Sequence, residues 1–266
     1  MTDLRALLSI ANVAVDRAAA VVARTSIGKV TAKGDRDMVS ELDLAIEDHV
    51  RSFLSSETPE IGFLGEEQGG RSSESDLTWS LDPIDGTANL VSGLPLCGVS
   101  LGLIERGTAV LGVIDLPFLQ ERYRAAEGEG AYCSGRRIAP SPKARLHDAI
   151  VAIGDYAVGE GAAERNLQRL EITRLLAARA LRVRMLGSAA IDLVWVACGR
   201  LDASIALSNH PWDMAAGVAI AREAGARVMD AGGRSHEVTS GSTVTAAPGL
   251  AKEVLNLLRD SLPAAR

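Results

Sequence analysis

Acidic residues in this sequence gather where apolar runs end, not on the polar faces of helices. Glu66 and Glu67 follow IGFLG, and Asp82 and Asp85 close an apolar run as LTWSLDPIDGTAN. Asp43 follows Ser40 at a helix start, and Asp213 follows Pro211 and Trp212. No Lys or Arg lies within 82–87 or 211–217 to neutralise them. Carboxylates gathered without basic partners repel one another, and a divalent cation relieves that repulsion. Hard cations such as Mg²⁺ take oxygen ligands and keep several waters. Gly86 and Thr87 come next. If a helix starts there, its free N–H groups and positive dipole end attract an anion, and glycine lets the backbone approach closely. Cations beside an anion-binding turn suit a phosphate ester, because metals hold phosphoryl oxygens, activate water and stabilise the leaving alkoxide. A covalent nucleophile is then unnecessary, and no Cys-x₅-Arg loop is present to provide one.

Helices, strands and loops must place these acids. Leu4, Leu7, Leu8, Ala11, Val15, Ala18 and Val22 recur at helical spacing, so an amphipathic helix is expected over 3–24. GKVTAKGDRD reads as a mobile loop carrying Lys33. Ser40 and Asp43 fit the S-x-x-D start of a helix with Leu42, Ile46, Val50 and Phe53 on one face. IGFLGEE and LTWSLD read as strands that run into acid, and residues 97–135 as meandering antiparallel strands. The second half alternates strands (AIVAIGDY, LRVRML, LDASIAL, ARVMD) with helices over 160–180, 188–199, WDMAAGVAIAREAGA and 249–261, the pattern of an α/β lobe. RIAPSPKARLHD, with two prolines and little pattern, marks a boundary between lobes 1–140 and 141–266.

Bulk composition agrees with an ordinary globular protein. The 266 residues suffice for one large domain or two joined lobes, and 47% apolar content supplies a core. Aromatics are only 3%, so Val, Ile, Leu and Ala must fill that core. A net charge of −6 without basic runs argues against nucleic acid. Cys97, Cys133 and Cys198 form no CxxC pair, so a reducing compartment and a cytoplasmic location are the simple reading. No uncharged apolar stretch is long enough for a membrane span.

GEE at 65–67, DPIDGTAN at 82–89 and PWDMAAG at 211–217 together resemble the three signatures of the inositol monophosphatase family of Mg²⁺-dependent, lithium-sensitive phosphatases. The resemblance runs from the first helix to the last. It implies a layered αβαβα sandwich, of mixed α+β and α/β character, and a homodimer acting on a small phosphorylated metabolite. It implies two or three Mg²⁺ ions held by Glu66, Asp82, the Ile84 carbonyl, Asp85 and Asp213, with Glu67 beside a third, water-rich position. Thr87, paired with Asp43, would activate the attacking water, with Glu66 also catalytic. Gly86 and Thr87 would bind phosphate, Lys33 would close near the site, and Ala189 and His210 would flank the substrate.

One departure bears on the substrate. Inositol-cleaving members often carry a glutamate where this chain has Ala206. GSAAIDL at 187–193 still looks like the inositol type, and DPIDGTAN differs from the DPLDGT form of the phosphoadenosine branch. Inositol monophosphate is therefore the leading expectation, with histidinol phosphate or fructose 1,6-bisphosphate as alternatives and a metal-binding regulatory scaffold as a reading of another class. The alcohol contacts fall on scattered rim residues such as Ala189, Asp192, Ala206 and Ser208.

Overall fold

A computed structural model describes residues 2–24, 27–34, 37–71 and 75–262. Helix α1 (Leu4–Arg24), a hairpin of β1 (Val30–Gly34) and β2 (Asp37–Ser40), and α2 (Glu41–Glu57) come first. Strands β3 (Gly62–Gly65), β4 (Gly69–Arg71) and β5 (Leu77–Asp85) lead into a short α3 (Thr87–Val91). Then come β6 (Gly98–Glu105), β7 (Thr108–Leu116), β8 (Glu121–Ala126), β9 (Gly130–Cys133) and β10 (Arg136–Arg137). The second half contains β11 (Ile150–Ile153), α4 (Ala162–Arg179), β12 (Arg182–Arg184), α5 (Ala189–Ala197) and β13 (Ala203–Ala206). It ends with α6 (Pro211–Ala224), β14 (Arg227–Met229), β15 (Thr243–Ala246) and α7 (Ala251–Asp260).

Beside the two-stranded β1-β2 sheet, two larger sheets result, ordered β10-β9-β8-β7-β6-β5-β3-β4 and β12-β11-β13-β15-β14. The first is antiparallel except where β3 runs parallel to β5. In the second, β11 pairs parallel with both β12 and β13. The apolar stripes of α1 and α2 (Ala11, Val15, Ile46, Val50) cover one face of the large sheet together with Leu81 and Leu101. Helices α5 and α6 fill the space between the sheets through Ile191, Val194, Ala216 and Ile220. Helices α4 and α7 close the far face of the small sheet through Leu176, Val254 and Leu257. Each amphipathic face is buried against a sheet, which makes the fold a five-layer αβαβα sandwich.

The segment expected to be a loop is a hairpin instead. Val30 pairs with Ser40 and Thr31 with Val39, with an irregularity before Gly34–Asp37. Residues 35–36 of that segment lie outside the described residues. Charged side chains hide its strand character, since Thr31, Lys33 and Asp37 give no apolar alternation to read. Ser40 does cap α2, accepting from the Asp43 N–H while Asp43 accepts from the Ser40 N–H at 2.9 Å. Among the described residues no helix is long and apolar enough to cross a membrane.

Helix α6 comes unusually close to the large sheet because two strand positions lack side chains. A Cβ at Gly102 would lie 2.7 Å from Ala216 N, and one at Gly112 would lie 2.2 Å from the Ala216 carbonyl oxygen. This contact sets the depth of the helix that carries Asp213. Gly112→Ala is expected to cost about 3 kcal/mol through overpacking. A urea titration should show a lower midpoint for that variant. Gly241→Ala, whose added methyl meets nothing within 4 Å, should leave the midpoint nearly in place.

Candidate active site

Strand pairing brings the acids together. In the parallel β3–β5 ladder Gly65 stands opposite Leu81, and the Glu66 N–H donates to the Leu81 carbonyl at 3.1 Å. The next residues on each strand, Glu66 and Asp82, therefore leave the sheet side by side. Along β5, Asp82 pairs with Ser100 and Asp85 with Gly98, so three steps on one strand match two on its neighbour. Residues three apart on a regular strand face opposite sides, and the bulge removes that opposition. Asp82 and Asp85 consequently line the same cavity. The Ile84 N–H donates to Asp82 Oδ1 at 2.9 Å and fixes the bulge. Gly86 follows with φ 93°, and a Cβ there would sit 2.8 Å from the Leu96 carbonyl oxygen. Only glycine meets both demands comfortably. Helix α3 then begins at Thr87.

Helix N-termini hold the other acids. The Thr87 hydroxyl lies 3.1 Å from Asp43 Oδ1, in the first turn of α2, and 3.0 Å from the Ile84 carbonyl oxygen. Asp85 accepts from the Ser188 hydroxyl at 2.5 Å and from the Ala189 and Ala190 N–H groups at 3.2 and 2.5 Å, at the start of α5. Asp213 accepts from the His210 N–H at 3.0 Å at the start of α6. Glu66 and Glu67 receive the Lys33 ammonium at 2.7 and 2.8 Å.

Glu47 is a supporting residue that the sequence reading missed. It is fully buried and accepts from the Glu67 N–H at 2.9 Å, the Gln68 N–H at 3.0 Å and Arg51 Nη2 at 2.6 Å. A Cβ at Gly65 would lie 2.4 Å from the Glu47 carboxyl, so glycine is needed for the turn to rest on it. The available signal was its spacing: Glu47 follows Asp43 by one helical turn and shares its face.

Glu66, Asp82, Ile84, Asp85, Gly86, Thr87, Ala189 and Asp213 all line one cavity of about 270 Å³ between the two sheets. Lys33, Glu67 and Asp43 sit behind this lining and reach it through Glu66 and Thr87. His210 does not line it: its exposed ring stacks on Trp212 at 4.7 Å between centroids. GVSLG at 98–102 has the spacing of a nucleophile elbow, but Ser100 is fully buried within β6 and not on a strand-to-helix turn.

Burial and mutual repulsion govern the electrostatics. Asp82 is pushed well above the usual carboxylate range by burial, then by the charges of Glu66, Asp85 and Asp213. Burial, opposed by the Ser188 hydroxyl and reinforced by Asp213, raises Asp85 to about 7. Asp213 rises to about 6 through burial, despite the His210 N–H. Glu67 rises to about 7 through burial, against the hydrogen bond from Lys33. Burial works to lower the Lys33 ammonium, but its bonds to Glu66 and Glu67 prevail and raise it. Among the described residues no three acidic, histidine or cysteine side chains converge as a ready-made cage, since each carboxylate is drawn to a different protein donor. The donor set still fits a hard divalent cation: it is all oxygen, acidic, desolvated and short of basic partners.

The sequence model of the inositol monophosphatase family matches residues 3–263. The inositol-1-monophosphatase ImpA of Mycolicibacterium smegmatis is 38% identical over 229 residues, covering 86% of this chain and 83% of that protein. A Thermotoga maritima protein named fructose-1,6-bisphosphatase/inositol-1-monophosphatase is 38% identical over 205 residues, covering 76% of this chain and 74% of its own length. The crystal structure of the extragenic suppressor protein suhB from Bartonella henselae superposes with a TM-score of 0.90 at 30% identity, covering 97% of this chain and all of that one.

The raised carboxyls give a definite pH response. An unfolded aspartate titrates near ~3.9, whereas Asp85 and Asp213 hold their protons to about 7 and about 6. Between those limits the folded state binds protons that the unfolded state has lost, so stability falls as pH rises. In EDTA the melting temperature should drop between about pH 5 and about pH 7.5. Added Mg²⁺ should raise it more at the upper pH, because cation binding needs the ionised acids. A melting temperature that climbs across this window in EDTA would contradict the assignment.

Proposed function

The chain belongs to the inositol monophosphatase family and is a phosphoric monoester hydrolase, and we propose that it acts with Mg²⁺ on a small polyol phosphate, inositol monophosphate first. The observation that carries this reading is the bulge at 82–85, which turns two aspartates into one cavity beside Gly86 and Thr87. Glu66, Asp82, the Ile84 carbonyl, Asp85 and Asp213 would hold two or three Mg²⁺ ions. When bound, these supply neutralisation of the phosphoryl oxygens and a more acidic water.

The chain's own groups do the rest. Thr87 Oγ1, donating to Asp43 Oδ1, turns its lone pairs outward to accept a hydrogen bond from the attacking water. A proton leaving that water passes to Thr87 Oγ1 as the Thr87 proton moves to Asp43. The Gly86 and Thr87 N–H groups, at the first turn of α3, orient the phosphate. Lys33 offsets the paired charge of Glu66 and Glu67 and keeps that turn in place. His210 acts through its backbone, fixing the Asp213 carboxylate.

Ala206 sustains a second reading, in which histidinol phosphate or fructose 1,6-bisphosphate is the substrate; the latter appears in the name of the Thermotoga relative. A regulatory scaffold has less support, since it has no need of both the acidic cluster and the Thr87–Asp43 pair.

Phosphate release from inositol 1-phosphate, fructose 1,6-bisphosphate, histidinol phosphate and phosphoadenosine phosphate, each with Mg²⁺ and with EDTA, tests the reading. EDTA-sensitive release led by inositol 1-phosphate is expected. Asp85→Asn should lower turnover on the order of 100-fold or more and weaken Mg²⁺ binding. Near wild-type turnover in that variant would overturn the ligand assignment, and release from none of the esters would favour the scaffold.

A further inference from the structure

Helix α4 carries two arginines that no acid answers. Arg165 and Arg169 stand one helical turn apart and share a face. Among the described residues neither lies within ion-pair distance of a carboxylate, whereas Arg174 and Arg179 of the same helix pair with Glu171 and Asp260. Arg169 is only 8% exposed. Burial first, then the charge of Arg165, lower its pKa, and no acid opposes them. A buried charge without a counter-charge is costly, and a like charge one turn away adds to the cost.

Holding α4 in place does not explain that charge. Arg169 Nη1 donates to the Arg165 carbonyl at 3.2 Å, and Nη2 donates to Ser208 Oγ at 2.9 Å. Both acceptors are neutral, so a neutral donor would make the same ties with a smaller desolvation cost. The loop after β11 is fixed to α4 by other groups. Asn166 accepts from the Ala157 N–H at 2.7 Å and donates to the Ala157 carbonyl at 2.9 Å, and the Tyr156 hydroxyl meets Thr173 Oγ1 at 3.0 Å.

This fixed loop and α4 enclose a second cavity of about 450 Å³. Arg165, Tyr156, Val158 and Leu207 line it, and Ser208 belongs both to its wall and to that of the acid-lined cavity. Arg165 is steadied by Nη2 donating to the Val158 carbonyl at 3.0 Å. Ser208 Oγ accepts from Arg169, which leaves the hydroxyl hydrogen to donate. A guanidinium and a hydroxyl donor on one cavity, with a second guanidinium behind, are the donor set of an anion, and the planar fork of arginine matches phosphate. Asp155, an exposed acid, lines both cavities. Its charge repels an anion from their junction and leaves the α4 side as the favoured place.

We propose that the second cavity is an anion site, in which Arg165 binds a phosphate group and Arg169 acts through Ser208. That group comes either from a substrate whose first phosphate lies among the acids or from a separate phosphorylated molecule. The site stands apart from the phosphatase reading, and only the first source rests on it.

Inorganic phosphate is titrated calorimetrically into the full chain in EDTA at low ionic strength, where no metal ion draws it to the acid-lined cavity. Saturable binding by the wild type is expected. Arg165→Gln should weaken it about tenfold or more, and Arg165→Lys, which keeps the charge, should restore much of it. Arg165 is exposed, so both variants carry little folding risk. No saturable binding by the wild type, or equal affinity in Arg165→Gln, would overturn the proposal. The source is then read with Mg²⁺ from kcat/KM on fructose 1,6-bisphosphate and on inositol 1-phosphate. A loss of about tenfold in Arg165→Gln on the bisphosphate alone would make the anion the substrate's second phosphate. An unchanged ratio of the two, with phosphate binding weakened, would make it a separate molecule; both results keep the site. If the wild type hydrolyses neither ester, the phosphatase reading falls, and the phosphate titration alone decides the anion site.

Discussion

Mutual repulsion among Glu66, Asp82, Asp85 and Asp213 within one desolvated cavity is the constraint on which the rest of the site depends. The chain answers it with separate donors for each acid. Lys33 serves Glu66, the Ile84 N–H serves Asp82, the start of α5 serves Asp85, and the His210 N–H serves Asp213. Two of these donors are helix N-termini, and Asp43 occupies a third at the start of α2. A helix N-terminus offers unpaired N–H groups and a partial positive charge, so it stabilises a carboxylate without introducing a competing cation. The acids remain ionisable, and their mutual repulsion is only partly relieved.

That arrangement requires elements far apart in sequence to meet accurately. Asp213 belongs to a helix that follows the second sheet's β13, yet it must face the end of β5 in the first. The contact is set by absent side chains: Gly102 and Gly112 admit the backbone of α6, and Gly217 of α6 admits Leu193 of α5. Once α6 lies against the large sheet, α5 packed on it presents Ser188 to Asp85. Packing between the sheets and electrostatics at the site are thus one problem, solved by the same two helices.

The acidic end of the cavity was legible in the sequence because its parts are short and local. DPIDGTAN encodes its own bulge, turn and helix start, and Ser40 with Asp43 encodes a cap that also delivers a carboxyl to Thr87. The helices of the second half were legible from their spacing for the same reason. What sequence did not reveal depends on pairing. The parallel β3–β5 contact, which sets Glu66 beside Asp82, lies in a lobe whose other strands read as antiparallel. The hairpin at 30–40 carries too many polar residues for a strand pattern, and Glu47 looks like one more helix-surface acid until Gly65 brings the turn down upon it.

The opposite end was legible only as scattered rim residues, Ala189, Asp192, Ala206 and Ser208, for a different physical reason. Gly154 and Asp155 follow β11, Asp192 opens α5, Ala206 ends β13, and Thr243 begins β15. No stretch of sequence contains two of these groups at a diagnostic spacing. What joins them is the position of the cavity at the carboxyl ends of parallel neighbours, β11 with β13 in one sheet and β3 with β5 in the other. Such ends are where the loops of layered α/β sheets converge on ligands. The fold dictates the place, and the loops dictate the ligand's chemistry. A change at Ala206 can therefore leave the acidic motifs undisturbed, because the two ends share a cavity but no sequence.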